Sequence, residues 1–233
     1  VTTKQQYNLT VRGGTPFVRY YVSANYVHEK GIYETFDNND YDSNVYFKRY
    51  GMRTNLDFNV TKTTIFGVDL SGRLEERHDN DAGTDLYQSM VRLPPNFLNY
   101  VNPDGSYGGK LNAVNPYAAL SKYGYNHSKR NVFEAVVKLN QKLDFITPGL
   151  SIKVFASTTR NSYSGQQRST SPFYYSISYY DKLTDTYTLR ELNPNGGRED
   201  LDYTAEGNQV SSSYYYEASL NYNRHSVQNL VPN

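Results

Sequence analysis

Hydrophobic and polar residues alternate along several long stretches of this chain. From Phe133 to Leu143 the apolar side chains lie mostly at every second position, and Glu134 and Lys138 belong to the opposite set. A period of two residues is typical of a β-strand with one apolar and one polar face. Ordinary strands have about 5 to 6 residues, whereas a tilted strand that crosses a bilayer needs roughly 9 to 11. The pattern therefore predicts strands of membrane-spanning length.

The same alternation predicts seven long strands. In each of them one alternate set is more apolar, as with Leu70 against Asp69 and Ser71. The polar sets carry full charges, which a dry core between two sheets would not hold without partners. We therefore expect the polar faces to line a water-filled lumen. The predicted strands are residues 5–13, 16–28, 44–60, 64–77, 130–144, 150–161 and 211–224.

The connections between these strands alternate in length. Outer-membrane barrels have short periplasmic turns and long extracellular loops. The order of the connections therefore predicts one side of a membrane for all the short turns and the other side for all the long loops. The short turns lie near Gly13, Thr61 and Pro148, and the long loops are residues 29–43, 78–130 and 162–210.

The second long loop contains signals for two short helices. Residues 84–93 favour a helical turn that Thr84 caps and Pro94 ends. A second helix is predicted to begin at Pro116, because proline suits the first helical position, and to end at Gly124. We therefore expect ordered elements within the loop.

A turn and a hairpin are also predicted in the long loops. Residues 102–108 have the composition of a β-turn. Residues 173–181 and 186–192 are alternating segments separated by a short polar stretch, which predicts a hairpin that projects beyond the membrane. The chain has no domain boundary, repeat array or coiled-coil pattern. Residues 1–233 are therefore treated as one all-β unit.

Composition excludes several classes of protein. The 233 residues include no Cys and carry a net charge of +1, so there is no disulfide framework, no thiolate metal site and no basic surface for nucleic acid. The mean hydropathy of -0.75 resembles that of soluble proteins. A barrel has a similar average, because only alternate strand residues face lipid. The 25 Tyr and 10 Phe suit membrane interfaces, strand surfaces and sugar-contacting loops alike.

Metal sites are not predicted. The acidic clusters at residues 37–42 and 78–81 lack the spacing of a calcium-binding loop, and we interpret them as solvated turns at strand ends. The histidines lie at strand ends without a paired spacing, whereas zinc needs convergent ligands. We therefore predict no zinc site and no cofactor, and calcium in the acidic clusters stays the lesser alternative to solvated turns. The four histidines are His28, His78, His127 and His225.

Catalysis has no support in the sequence. Glu75 and Glu76 are adjacent on a predicted strand, so they face opposite sides and do not form an acid–base pair. No nucleophile elbow, phosphate-binding loop or dinucleotide-binding motif is found. The prediction is that the chain is not an enzyme.

The loop around residues 100–117 contains weak candidates for contact with a sugar. Aromatic faces and carboxylates suit carbohydrate surfaces, and Tyr100, Asp104, Tyr107 and Tyr117 provide them. The alternative is that these tyrosines pack the loop against itself, because a large loop must bury some aromatic area to stay ordered. Both interpretations remain open at this point.

Several segments resemble a known family when they are taken in order along the chain. They are similar to the barrel of SusC/RagA-type TonB-dependent outer-membrane transporters, and together they cover nearly the whole sequence. No single motif is decisive, but the ordered series is specific. The segments are residues 6–33, 46–73, 102–109 (NPDGSYGG), 115–125 (NPYAALSKYGY), 148–157 (PGLSIKVFAS) and 216–224 (YEASLNYNR).

The resemblance implies a 22-stranded barrel with an N-terminal plug, a TonB box and a SusD-like surface lipoprotein that helps to capture glycans or peptides. This sequence departs from that pattern, because it has no plug, no TonB box and about seven strands. Single-chain bacterial barrels have even strand numbers, so we expect the chain to be the middle part of a larger barrel.

The sequence thus predicts an integral part of a bacterial outer-membrane importer for oligosaccharides or related nutrients. The expected partners are the rest of the barrel and its plug, the SusD-like lipoprotein, lipid, a glycan or peptide substrate and, through other parts of the transporter, the TonB complex. The segment would supply barrel wall, extracellular loops and lumen lining. The predicted lumen-lining residues are Arg19, Arg49, Arg53, Asp57, Asp69, Arg73, Glu134 and Lys138.

Two alternatives belong to other classes of protein. A surface or secreted carbohydrate-binding β-sandwich would bury its apolar sets between two sheets and would be soluble without detergent. A small closed barrel acting as an adhesin or enzyme would need an eighth strand, which the pattern does not show. Substrate identity would depend on the loops, the plug and the partner together.

Overall fold

The computed structural model describes residues 2–33, 41–83, 85–111 and 113–223. This part of the chain is almost entirely β-structure, with two short helices in one loop. The elements are β1 (Lys4–Gly14), β2 (Val18–Lys30), β3 (Tyr46–Asn59), β4 (Thr64–Asn80), α1 (Asp85–Arg92), α2 (Pro116–Lys122), β5 (Gly124–Lys142), β6 (Leu150–Ser169), β7 (Tyr175–Asp181), β8 (Thr186–Glu191) and β9 (Asp202–Tyr222).

Seven long strands form one antiparallel sheet in the order β1-β2-β3-β4-β5-β6-β9. All seven predicted strands are present, so the all-β class is confirmed. The sheet is open, with β1 and β9 at its edges, and the described residues form neither a closed barrel nor a 22-stranded one. β7 and β8 form a separate two-stranded sheet, as the predicted hairpin requires.

Three strands extend further into the loops than predicted. β5 begins at Gly124, six residues before the predicted start, and β6 continues to Ser169 opposite it. β9 likewise begins at Asp202 and pairs with the end of β6. These extensions are polar on both faces, so they carry no alternating hydrophobic signal. Backbone hydrogen bonds between neighbouring strands nevertheless continue the sheet.

The alternation of short and long connections is present in the structure. Residues 15–17, 60–63 and 143–149 are the three short turns, at one end of the sheet. The long loops at the other end are residues 31–45, 81–123 and 170–201. In the third short turn, Gly149 has a φ of 90°, a left-handed conformation that favours glycine.

Both predicted helices form, and α2 has a well-defined start and end. The side-chain oxygen of Asn115 accepts hydrogen bonds from the backbone N–H groups of Tyr117 (3.0 Å) and Ala118 (3.2 Å), and Pro116 lies in the first turn. Gly124 follows the helix with a φ of 107°. Thr84, the predicted cap of α1, lies outside the described residues.

The buried hydrophobic residues of the described chain lie mainly in the loops and not in the sheet. Leu86 of α1 packs against Ala119 and Leu120 of α2, and Tyr33 and Tyr123 cover this cluster. The two long faces of the sheet remain largely open. Neither helix is long or apolar enough to span a membrane.

Candidate functional site

The predicted lumen-lining residues all lie on one face of the sheet. Residues directly opposite each other in antiparallel strands share a face, and Arg19 of β2 is opposite Asp57 of β3. The register continues this face through β4 and β5, where Glu134 is opposite Ser71. We call it the polar face. Its predicted members are Arg19, Arg49, Arg53, Asp57, Asp69, Arg73, Glu134 and Lys138.

Ion pairs and hydrogen bonds cross the strands on the polar face. Asp69 forms an ion pair with the ammonium group of Lys138 and accepts a hydrogen bond of 2.8 Å from the amide of Asn55. Arg19 lies 3.6 Å from Asp57. Because these partners lie on neighbouring strands, the contacts stabilise the strand register and also neutralise charge on this face.

A groove on the polar face brings three arginines together. The groove has a volume of about 450 Å³ and is lined by Arg49, Arg53 and Arg73, with Glu134 nearby. Arg73 pairs with Glu75 at 3.3 Å, whereas Arg49 and Arg53 form no ion pair with any described residue. Two guanidinium groups are thus available to an anionic or hydroxyl-rich partner.

A second groove on this face contains aromatic residues that were not predicted from the sequence. It has a volume of about 560 Å³, and Phe155 and Tyr215 line it together with Arg19, Lys138 and Glu217. The rings of Phe155 and Tyr215 meet edge to face at 5.9 Å. Phe155 is flanked by apolar residues in the sequence. The one signal for its position is that it belongs to the same alternate set as Ser151 and Ser157, which lie on the polar face.

The opposite face of the sheet, here called the apolar face, has an aromatic row at each end. Near the long loops, the Tyr26 ring lies 6.1 Å from that of Tyr7 and 5.0 Å from that of Tyr50. Near the short turns, the Phe58 ring lies 6.2 Å from Phe17 and 6.5 Å from Phe66. The space between the two rows is filled mainly by aliphatic side chains.

The apolar face is not covered by any other part of the described chain. Leu9, Met52 and Leu220 are 66%, 58% and 67% exposed, although they lie on three different strands. A large continuous apolar surface of this kind is unusual for a soluble monomer and marks an interaction or membrane surface.

The four candidate sugar-contact residues are only partly brought together. Asp104 and Tyr107 line one groove of about 530 Å³, together with Phe173, Tyr175 and Arg198 of the third long loop. These last three were not predicted because they are far from the candidates along the chain. The remaining candidates, Tyr100 and Tyr117, do not line this groove.

Asp104 is preorganised as a carboxylate in this loop groove. Its side chain accepts hydrogen bonds from the hydroxyl (2.7 Å) and the backbone N–H (3.0 Å) of Ser106. These hydrogen bonds lower the pKa of Asp104 below its ordinary value. The groove therefore offers a fixed anionic acceptor beside aromatic rings and a guanidinium group.

Tyr117 contacts another loop tyrosine through its ring, whereas Tyr100, whose side chain is 43% exposed, contributes to the loop through its backbone. The ring of Tyr117 lies 6.2 Å from that of Tyr107. The carbonyl oxygen of Tyr100 accepts a 2.7 Å hydrogen bond from the amide of Asn115. The backbone of this segment is thus fixed from within the loop.

Half-buried tyrosines join the long loops to one another. The Tyr41 hydroxyl donates to the carbonyl oxygen of Ser121 (3.1 Å) and accepts from the N–H of Gly124 (3.0 Å). Burial raises the pKa of Tyr41 to about 12. In the third loop, Tyr174 donates to the hydroxyl of Tyr123 at 3.1 Å, and burial also raises the pKa of Tyr174.

The second acidic cluster is part of the folded sheet and not a solvated turn. His78 is 7% and Asn80 4% exposed, and Asp81 accepts hydrogen bonds from the amides of Asn126 (3.1 Å) and Gln167 (2.6 Å). Polar strand ends are buried here because the long loops pack over them. Most of the first cluster lies outside the described residues.

Two histidines that are distant in sequence are neighbours in space. His78 and His127 are opposite each other on β4 and β5, with their rings 6.0 Å apart. Tyr46 and Tyr125 stack against His78, each at 5.0 Å. Among the described residues, no group of three or more His, Asp or Glu side chains is arranged to hold a metal ion. His225 lies outside this part of the chain.

Comparison with known proteins gives no match to this chain, either among protein-family models or among curated proteins.

Proposed function

We propose that this chain forms part of the wall of an outer-membrane β-barrel that imports oligosaccharides, in a transporter of the SusC/RagA type. The observation that carries the proposal is the open apolar face bounded by two aromatic rows. Transmembrane barrels have an outward apolar band about 25 Å tall with an aromatic girdle at each interface. The apolar face would meet lipid, and the polar face would line the lumen.

The spacing of the two aromatic rows supports this placement. Along β3, Tyr50 and Phe58 are separated by about 26 Å at ~3.3 Å per residue. At a strand tilt of about 40°, this becomes ~20 Å across the membrane, close to the height of the barrel band. Water contact with this face would cost about 25 cal/mol per Å² of apolar surface, and lipid contact removes that cost.

The open edges of the sheet indicate further strands in the proposed barrel. β1 and β9 each have one side without a strand partner among the described residues. Unpaired backbone groups in hydrocarbon cost several kcal/mol each, so only a closed ring of strands is stable there. We propose that other strands of the transporter pair with β1 and β9 and that a plug fills the lumen.

The polar face supplies the proposed passage. Its two grooves combine cationic, anionic and amide groups, as a hydrated wall requires, and cross-strand pairs such as Arg19 with Asp57 fix the lining. Arg49 and Arg53 are the strongest candidates for holding a plug or guiding a polar substrate. The proposed mechanism is gated passage and not catalysis: substrate binds on the outer side, and energy from the inner membrane displaces the plug.

The loop groove is the proposed point of first contact with a glycan. Phe173 and Tyr175 provide rings, and the fixed carboxylate of Asp104 accepts hydroxyl hydrogen bonds. Sugars present apolar C–H faces and hydroxyl edges, so this combination suits them. A SusD-like lipoprotein would cover the same side of the wall.

A carbohydrate-binding β-sandwich is less consistent with the structure. A sandwich needs a second sheet over the apolar face. The only other sheet in the described residues consists of β7, with 7 residues, and β8, with 6, which are too short to cover the long strands.

Membrane extraction tests the proposal directly. Membranes from cells that produce the protein are washed with alkaline carbonate and with urea and are then solubilised in detergent. We expect the protein to stay in the pellet until detergent is added. Release as a compact monomer without detergent would contradict the membrane placement and favour the sandwich.

Uptake measurements test the transport step. Cells with and without the gene are given a panel of fluorescently labelled oligosaccharides, with and without a protonophore. Import should require both the gene and the proton-motive force. Equal uptake by both strains across the panel would contradict the importer proposal even if the protein is membrane-bound.

A further inference from the structure

Four basic side chains form a row on the apolar face near the long loops. The register places Lys48 opposite His28 and Lys129 opposite Glu76, all on this face. We call the row the cationic rim. It consists of Lys30 in β2, Lys48 in β3, Lys129 in β5 and Arg160 in β6.

The cationic rim follows the edge of the apolar face that is nearer to the long loops, where the aliphatic side chains end. Lys48 lies two residues beyond Tyr50 on β3, and Arg160 lies four residues beyond Ala156 on β6. This edge descends from β3 to β6 relative to the strand register, as expected where strands are tilted. On each strand the basic residue thus lies beyond the aliphatic residues of this face, and Arg160 lies four residues nearer to the short turns than the position opposite Lys129.

The charge of the rim is largely uncompensated. On the apolar face of β2 to β6, Glu76 is the only carboxylate, and it pairs with Lys129 at 3.1 Å. The ammonium group of Lys48 lies 4.8 Å from the centre of the Tyr46 ring. Neither Lys30 nor Arg160 has an ion pair within the described ranges, and both are exposed. Four cations therefore face one anion.

The opposite end of the apolar face has a different character. Where the strands reach the short turns, the last residues on this face include Val18, Phe58, Thr64, Gln141 and Leu150. Over the described strands, this end of the face has no Lys, Arg, Asp or Glu. The positive charge is therefore confined to the long-loop side.

We propose that the cationic rim binds the phosphate groups of anionic lipid in the leaflet on the long-loop side of the membrane. Lysine and arginine can keep their aliphatic stems against the apolar surface and extend their charged ends to the headgroups. A basic residue near an anionic membrane surface contributes about 1 kcal/mol, or roughly five-fold in affinity. This inference rests on the proposed placement of the apolar face in lipid.

Selective retention of an anionic lipid tests whether the cationic rim binds lipid phosphate. The complete protein to which this chain is proposed to belong is purified and exchanged into detergent that contains equal amounts of phosphatidylglycerol and phosphatidylcholine, and bound lipids are counted by native mass spectrometry. We expect at least twenty-fold more phosphatidylglycerol than phosphatidylcholine to be retained. The variant with Lys30, Lys48, Lys129 and Arg160 all changed to Gln should lose nearly all of that preference.

A matched variant controls for net charge. Changing Lys62, Arg92, Lys182 and Arg190 to Gln removes the same number of cations from turns and loops, and we expect it to retain the wild-type preference. Equal loss in both variants would overturn the rim as a specific site. The double change K30Q/R160Q removes no ion pair seen in the structure, so its expected loss of about twenty-fold cannot be attributed to a broken salt bridge.

The same samples separate failure of the rim from failure of the membrane placement. The complete wild-type protein to which this chain is proposed to belong is also reconstituted into lipid nanodiscs of either composition. If it enters neither type of disc, the membrane placement is wrong, and the rim with it. If it enters both types and retains the two lipids equally, the rim proposal alone is wrong.

Discussion

The side-chain amide of Asn115 donates a 2.7 Å hydrogen bond to the carbonyl oxygen of Tyr100. The same amide donates a second bond of 2.7 Å to the carbonyl oxygen of Gly108, while the side-chain oxygen caps α2. One fully buried residue thus joins the helix to the segment that carries Asp104 and Tyr107. The candidate glycan groove depends on this connection.

Changing Asn115 to Ala should loosen the loop groove. Loss of a helix cap costs about 1 kcal/mol, and leaving buried acceptors unsatisfied costs about 1 to 3 kcal/mol more. We expect a loss of about 2 to 4 kcal/mol in local stability, measured by hydrogen–deuterium exchange of residues 100–124. Changing the exposed Asn221 to Ala is the matched control and should leave exchange unchanged. Unchanged exchange in both variants would contradict the proposed role of Asn115.

High pH should release the contact between the first and second long loops. The folded pKa of Tyr41 is raised from 10.0 to about 12, so the protonated hydroxyl is favoured by folding. This stabilisation is complete below pH 10 and is lost as the pH rises towards 12. Exchange at Ser121 and Gly124 should therefore increase over that window beyond the intrinsic rate. The Y41F variant should show fast exchange without this added pH dependence, and an identical pH profile would contradict the assignment.

Gly124 should be difficult to replace. It has a φ of 107°, and a Cβ there would clash with the backbone carbonyl of Arg168 on the neighbouring strand. Gly72 lies in the same sheet, where an added Cβ would meet no atom within 4 Å, and it has no positive φ. We expect G124A to lower the thermal stability in detergent markedly and G72A to leave it equal or slightly higher. Equal melting temperatures for both would contradict the packing at Gly124.

The sheet could be predicted from the sequence because the alternation of apolar and polar residues shows directly on which face of a strand each side chain lies. The seven strands, the pairings across the three short turns and the common face of Arg19, Asp57 and Glu134 follow from period-two patterning and short turns. The polar extensions of β5 and β6 could not be found in this way. They have no apolar set, and only the partner strand stabilises them.

The loop site was harder to predict for a different reason. Tyr41 contacts Ser121 across 80 positions in sequence, and Asp104 shares a groove with Phe173. Contacts of this kind depend on how loops of irregular shape pack, which local patterns do not encode. The turn around Asp104 and the helix after Asn115 were predictable, because turn and cap residues act within a few positions.

A charge on the apolar face should be far more costly than one on the polar face. Leu70 lies midway between Phe66 and Leu74 on β4, and its neighbour Ser71 faces the other side. Changing Leu70 to Lys should destabilise the folded state in lipid by about 2 to 4 kcal/mol, the cost at a bilayer midplane. Changing Ser71 to Lys should cost less than about 1 kcal/mol, because that face is hydrated. Similar effects in a urea titration of membrane-bound protein would contradict the assigned faces.

The most direct measurement is a spin-label scan along β4, which the absence of native cysteines makes practical. Single cysteines from position 65 to 75 carry a nitroxide in membranes, and its collisions with oxygen and with a water-soluble nickel complex are recorded. Oxygen should dominate at even positions, with a maximum near Leu70, and nickel at odd positions such as Asp69 and Ser71. Even positions shielded from both reagents, as between two sheets, would contradict a lipid-facing wall.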